Sequence, residues 1–423
     1  MRIEGIVISI NPTVLIDEYG SKRYVNLNQD VDVPSYIVGS IENNNVFIDK
    51  IIENREAYRN FFNKITKNID VNQTLFYEDE VIKKLKPDIL QFARIFKASA
   101  LLKRTINVHF HNDADGIVSA YAISSILRGK YFQHNGAIYS IQDALNDIQS
   151  LRYGFMPMVI NLDFSSNYES EDGIDLLNSS GIDIIIVDHH PNNMKKEFIL
   201  NPWDVCNDGS KYTAGLLSSL ISYAAGGKYD LYPVSLAGDK SNLMDLNEQD
   251  KERALVLDFL ATYKVFGNNL HFYIDVLKNK TLYEEIKEKA IEKLNAIRKI
   301  VNKFIKKETI NGINIYTINL DKVSTYSEFP GRGKITSIVY DMIKDENAIV
   351  LGVSKYMIIF RLTDKAVQYV KANELINMLK EQIPTIKNGG GHDKAAAIIF
   401  NTEDYIPAAL ELIRAKIQRG FST

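Results

Sequence analysis

The stretch Val108–Gly116, VHFHNDADG, decides how this chain is read. An apolar, β-branched run at Ile106–Phe110 ends in histidines and aspartates at alternating positions, and the pattern then becomes helical over Ile117–Leu127. Side chains two apart on extended backbone point the same way, so His109, His111, Asp113 and Asp115 can approach one site, and Gly116 allows a sharp turn. A calcium loop starting at His111 is excluded, because its first position lacks a carboxylate and its twelfth is Ala122 rather than a bidentate glutamate.

The same grammar recurs along the chain. Apolar runs at Met158–Leu162, Ile182–Val187 and Val234–Ala237 lead to Asp163, Asp188 and Asp239, with helical stretches such as Ala214–Ala225 between them. Strand and helix alternating in this way predict a parallel α/β sheet. Ligands of such sheets bind at the carboxyl ends of the strands, so four strands are expected to deliver their acids to one place. Five of the seven histidines lie in these motifs or in GGGH (Gly389–His392), whereas His134 and His271 read as structural. Imidazole with carboxylate suits divalent ions such as Mn2+. Several carboxylates can hold two ions that clamp both oxygens of a phosphoryl displacement. Asp188-His189-His190 allows one ring to bind metal while its neighbour reaches a substrate phosphate.

With 423 residues, two or three domains are expected. A chain 45% hydrophobic and 24% charged is of globular type. The one cysteine, Cys206, excludes an intramolecular disulfide and a cysteine-based zinc site. MRIEGIVISI lacks signal-peptide architecture and no apolar run approaches a membrane span, so the expected location is cytoplasmic. A net charge of −3 argues against coating of duplex DNA but not against a local basic channel.

Residues 1–54 read as a small β module, OB-like or packed on the main domain; 55–246 as the α/β domain; 247–308 as a helical connector ending in EEIKEKAIEKLNAIRKIVNKFIKK; and 309–423 as a second, smaller α/β domain. In that last region Gly389, Gly390 and Gly391 read as a flexible turn whose N–H groups can approach a phosphate, followed by His392. FPGRGKIT (Phe329–Thr336) offers Arg332 and Lys334 as a phosphate grip. It is not a Walker A loop, since Glu328 and Ile335 occupy the required glycine and hydroxyl positions.

HNDADG, LDFS, VDHHP and AGD in this order, with a C-terminal GGGH, resemble the DHH phosphoesterase superfamily with its DHHA1 domain, and within it the RecJ-like nucleases of archaeal type. The likeness covers about residues 90 to 420. It implies two divalent metals, Mn2+ preferred and Mg2+ possible. Asp113 would bind one ion and Asp115 the other, with Asp163 bridging, His189 and Asp239 completing the ligands of the second ion, and His190 on the scissile phosphate. His109 fits the histidine of the family's pyrophosphatases and His111 the leading acidic position of bacterial RecJ; both stand as metal candidates, with His111 favoured near the metal and His109 either a ligand or a residue just outside the ligand set. Asp188 and Asn201 would support the site, while Arg361 and His392 match residues that grip substrate phosphates. The resemblance implies a bilobed single-strand exonuclease acting on DNA or RNA, with 5′→3′ action on DNA favoured. Alternatives are a short-oligonucleotide or cyclic-dinucleotide phosphodiesterase, a pyrophosphatase, and a replisome scaffold bound to the GINS complex.

Overall fold

The computed structural model describes residues 1–192, 194–263, 270–323, 328–383 and 385–419. The chain divides into two compact units, Met1–Ala254 with Gly267–Ile274, and Leu255–Phe266 with Asp275–Thr423.

The first unit opens with six strands, β1 (Arg2–Ser9), β2 (Val14–Asp17), β3 (Lys22–Tyr24), β4 (Asn26–Leu27), β5 (Ser35–Glu42) and β6 (Asn45–Ile52), in the order β3-β2-β1-β5-β6-β4. Strands β3 and β4 sit at opposite edges, yet Val25 alone separates them, so the sheet must curl until its edges approach. Ile3, Val7, Leu15, Val25, Ile37 and Val46 fill the inside of the curl. The alternate residues Ile6, Val14, Ile16 and Tyr36 pack on Phe61, Phe62, Ile65, Ala98 and Leu102 of helices Arg55–Asn68 and Glu80–Leu101. Both sides of the strands are thus covered, one by the residues inside the curl and the other by these two helices.

The second sheet contains β7 (Ile106–His111), β8 (Lys130–His134), β9 (Met158–Leu162), β10 (Asp183–Val187) and β11 (Ile199–Leu200), in the order β11-β10-β9-β7-β8 and parallel throughout. The α/β class and the parallel sheet are as expected. One strand is not: Val234–Ala237 lies in a helix, Tyr232–Gly238, with Pro233 in its first turn, where proline's fixed φ favours helix initiation. Asp239 therefore reaches the site from a helix end rather than a strand end. In exchange, β8 and β11 join the sheet at its edges; KYFQH is too polar, and a two-residue strand too short, for periodicity to mark them.

The second unit holds β12 (Ile305–Ile310), β13 (Ile313–Asn319), β14 (Ala348–Ser354), β15 (Met357–Leu362), β16 (Ile386–Gly391) and β17 (Ala395–Phe400), in the order β12-β13-β14-β15-β17-β16. Only β13 and β14 pair in parallel. The connector helix predicted to reach Lys307 ends at Ile300, and Ile305–Ile310 pairs with β13 instead. The cause is Asn311-Gly312, both at positive φ (50° and 79°), a dipeptide that closes a two-residue hairpin. Helix Arg332–Ile343 covers one face of this sheet through Ile335 and Val339, and Ala372–Gln382 and Tyr405–Arg419 cover the other.

Candidate functional site

The parallel sheet brings the site together from its carboxyl ends. Asp113 ends the extended segment after β7 and caps helix Ala114–Ser124, its Oδ1 accepting the Gly116 N–H at 2.9 Å. Gly116 is in the helix rather than at a sharp turn; a Cβ there would lie 2.2 Å from the His111 carbonyl oxygen, so glycine permits the close approach. Asp115, in the first helical turn, accepts the N–H groups of Ala214 and Gly215 at 2.9 and 2.6 Å, which are the first of helix Ala214–Ala225. Asp163 follows β9 with φ 68°, an uncommon conformation for a non-glycine residue, held by its N–H on the Val187 carbonyl at 2.8 Å.

Among the described residues, three groups of side chains have ligand atoms within 4.8 Å of one another: His111 with Asp113 and Asp163; Asp115 with His189 and Asp239; and Asp163 with His189 and His190. His111 Nδ1 is 2.6 Å from Asp113 and 3.4 Å from Asp163 Oδ2. His189 Nε2 is 3.0 Å from Asp239, 3.4 Å from Asp163 Oδ1 and 3.6 Å from Asp115. Asp163 thus faces one group with each oxygen. Its side chain is 1% exposed and neither oxygen accepts a hydrogen bond of good geometry. A buried carboxylate in that state is costly unless a cation satisfies it. The donor set fits a divalent ion, since oxygen and imidazole nitrogen are its ordinary ligands.

Electrostatics agree. Burial, then the charges of Asp163 and Asp239, pushes the Asp115 carboxyl well above its ordinary range. Burial and Asp113 raise Asp163. Burial opposes charge on His111 and His189, but Asp113 beside the first and Asp239 beside the second overcome it and hold both imidazoles well above their usual value.

The next layer orients the histidines. His189 Nδ1 lies 3.2 Å from the Ser210 carbonyl and donates to it, leaving Nε2 to face the carboxylates. Asp188 does not join the clusters: its Oδ1 accepts the N–H groups of His189 and His190 and the His190 ring at 2.8 Å, and its Oδ2 accepts Ser166. Burial would raise the Asp188 carboxyl, but the His190 imidazole outweighs it and holds it low. Asn201 donates to the His190 carbonyl at 2.9 Å, and Trp203 to that of His189 at 2.9 Å. His190 is 41% exposed and gives the site an open side.

His109 is a correction. Its Nε2 bonds Asp147 at 2.8 Å, within a buried network of Asn107 and Tyr139, and it joins none of the three groups. The alternation that placed it with Asp113 and Asp115 ends where the helix begins, and His111, at the strand end, is the histidine beside Asp113. In the second unit, Arg332 is paired with Asp321, and Lys334 with Asp258. The expected glycine turn is strand: Gly389–Gly391 pairs with β17, and only Gly391, at φ 143°, needs glycine's freedom. Arg361 pairs in register with Ala395, whose carbonyl accepts the His392 N–H at 2.7 Å, so both lie at one end of the β15–β17 ladder. Trp203, Ser210, Ser166 and Asp147 went unmarked in the sequence; the sole tryptophan, two residues after Asn201, is the one signal that could have been noticed.

A parallel α/β sheet with imidazoles and aspartates gathered at its carboxyl ends defines a class. Residues 105–238 match the model of the DHH family, N-terminal domain, and the chain therefore carries a DHH domain. The uncharacterized protein MJ1198 of Methanocaldococcus jannaschii is 24% identical over 76% of this chain. The chain spans about half (53%) of that relative's length. A solved DHH domain of a member of the s1p family of ribosomal proteins superimposes with TM-score 0.76 and 21% identity, over 86% of this chain and 98% of that one. RecJ from Thermus thermophilus, solved with Mn2+, gives TM-score 0.54 and 14% identity over 78% of this chain and 55% of that one. No described helix is long and apolar enough to cross a membrane.

Proposed function

We propose that the protein is a metal-dependent phosphodiesterase of RecJ-like type, hydrolysing single-stranded DNA or RNA to mononucleotides. The observation that carries it is Asp163, buried, without a hydrogen bond of good geometry, and facing a separate ligand group with each oxygen. That arrangement suits two divalent ions sharing one carboxylate. His111 and Asp113 would hold the first, Asp115, His189 and Asp239 the second. Bound ions of this kind, Mn2+ or Mg2+, lower the pKa of water and neutralise phosphoryl charge.

The chain's own groups supply the rest. Asp188 fixes the His190 ring through Nδ1, so the imidazolium is aimed while its charge is retained. Burial opposes that charge, but Asp188 raises the ring's pKa, which suits His190 to contact a substrate phosphate or to protonate a leaving oxygen. The second unit has 25 Lys and Arg against 19 Asp and Glu, an excess that favours a polyanion over a small anion such as pyrophosphate. Within it, Arg361 and His392 are the candidate phosphate contacts, with Gly389, Gly390 and Gly391 alongside. Rates measured across a length series, from dinucleotide to long single-stranded DNA and RNA, test this reading. Turnover sustained on long strands supports it, and turnover confined to dinucleotides or pyrophosphate refutes it.

A second reading, a scaffold role, has one observation in its favour. Residues 1–54 carry eight acidic and four basic side chains, a balance better suited to a protein partner than to nucleic acid. Co-elution with the GINS complex tests it.

A further inference from the structure

At the end of the parallel sheet away from the aspartates lies a cavity of about 500 Å3. Its walls come from the amino-terminal ends of β9 and β10, from Gly154–Met156, and from the first turn of helix Arg55–Asn68. The floor is apolar and aromatic: Tyr58 and Phe155 meet edge to face at 5.5 Å, beside Ile148 and Leu151. The rim is cationic, with Arg55, Arg59 and Arg152. Of the two acids lining it, Asp183 is already shared by Arg59 and the buried Arg104. Among the described residues, Arg55 and Arg152 have no carboxylate partner: Arg55 lies against Gly181, and Arg152 stacks on Tyr153 at 4.5 Å. The N-terminal end of a 14-residue helix adds its partial positive charge on the same side. Glu53 and the carboxyl ends of helices Ile141–Leu151 and Glu171–Ser179 act against an anion. The Leu151 and Asn178 carbonyls there are already taken by Gly154 and Gly181 N–H groups.

We infer that this cavity is a second, non-catalytic site for a phosphorylated ligand of nucleotide size. Guanidinium groups bind phosphate oxygens in pairs, and aromatic faces accept a base. The volume falls in the range of small-molecule sites. The occupant would touch both helix Arg55–Asn68, which carries the docked β module, and the underside of the catalytic sheet, so binding would tighten their junction.

The test is calorimetric titration of adenosine 5′-monophosphate into the full chain in EDTA, with adenosine and inorganic phosphate as separate arms. One site for the monophosphate is expected, with adenosine and phosphate each weaker. In the folded R55A/R152A variant, checked by circular dichroism, binding should weaken by about tenfold or more while hydrolysis of single strands is retained. The single R152A variant, altered at an exposed position, should weaken it less. D163A should bind the monophosphate as the parent does. Absence of binding to the parent chain, binding unchanged in both arginine variants, binding lost in D163A, or equal affinity for inorganic phosphate would each overturn the assignment.

Discussion

Asp115 accepts the backbone N–H of Gly215 at 2.6 Å, a bond between residues 100 positions apart. It seats a buried carboxylate on the amino end of helix Ala214–Ala225, where N–H groups lack helical partners. One oxygen of the pair, Oδ2, still lies 3.6 Å from His189, so the same group joins two helices and faces the His189 and Asp239 side chains.

Gly215 should therefore resist even a methyl group. A Cβ there would lie 2.5 Å from the Ser235 Cβ and 2.7 Å from Asp115 Oδ1. Gly215→Ala is expected to cost about 1–3 kcal/mol of stability and to weaken Mn2+ binding as Asp115 is displaced. Urea denaturation and Mn2+ calorimetry read the two effects, and a variant unchanged in both would contradict the contact.

Trp203→Phe removes the indole N–H from the His189 carbonyl. Loss of such a bond outside the ligand set is expected to lower Mn2+ affinity by about 10–100-fold, because the ring's orientation relaxes. Affinity unchanged within about twofold would show that Asp188 and Ser210 suffice to hold His189.

The two candidate histidines should separate. His111→Ala is expected to lose most Mn2+ binding, since its Nδ1 faces Asp113 and Asp163. His109→Ala should instead keep measurable Mn2+ binding and lose stability, because it strips a partner from buried Asp147. The reverse pattern would restore His109 as the ligand.

Acid should act through Asp143. Burial would raise this carboxyl, but His134 and Ser140 outweigh it and hold it at about 2. A depressed pKa gives stability that is present above the unfolded-state value and lost as pH falls towards 2. The urea midpoint of the parent, minus that of Asp143→Asn, should shrink steadily between about pH 4 and pH 2. A difference constant across that window would rule the assignment out.

Much of this was written locally in the chain. Asp113, Asp163 and Asp188 follow apolar runs that are strands, and the parallel sheet makes the approach of Asp113 and Asp163 follow from topology, with Asp188 beside them orienting His190. What could not be read was tertiary. Nothing near His109 announces Asp147, which meets it only through packing of helix Ile141–Leu151 on the sheet. Val234–Ala237 is as apolar as a buried strand, and short apolar runs do not distinguish helix from strand. Asn311-Gly312 closes a hairpin, but the helical period running up to Lys307 masks the strand before it. The glycines of β16 looked like a turn because flexibility and close strand packing call for the same residue.

The most direct test compares hydrolysis of an end-labelled single-stranded DNA oligomer, and its RNA equivalent, by the parent chain and by Asp163→Ala. Each is assayed with Mn2+, with Mg2+ and with EDTA, and both proteins are first shown to be folded. The account predicts mononucleotide release by the parent only when metal is present, and none by the variant. Hydrolysis that survives EDTA, or that persists in Asp163→Ala, would contradict it.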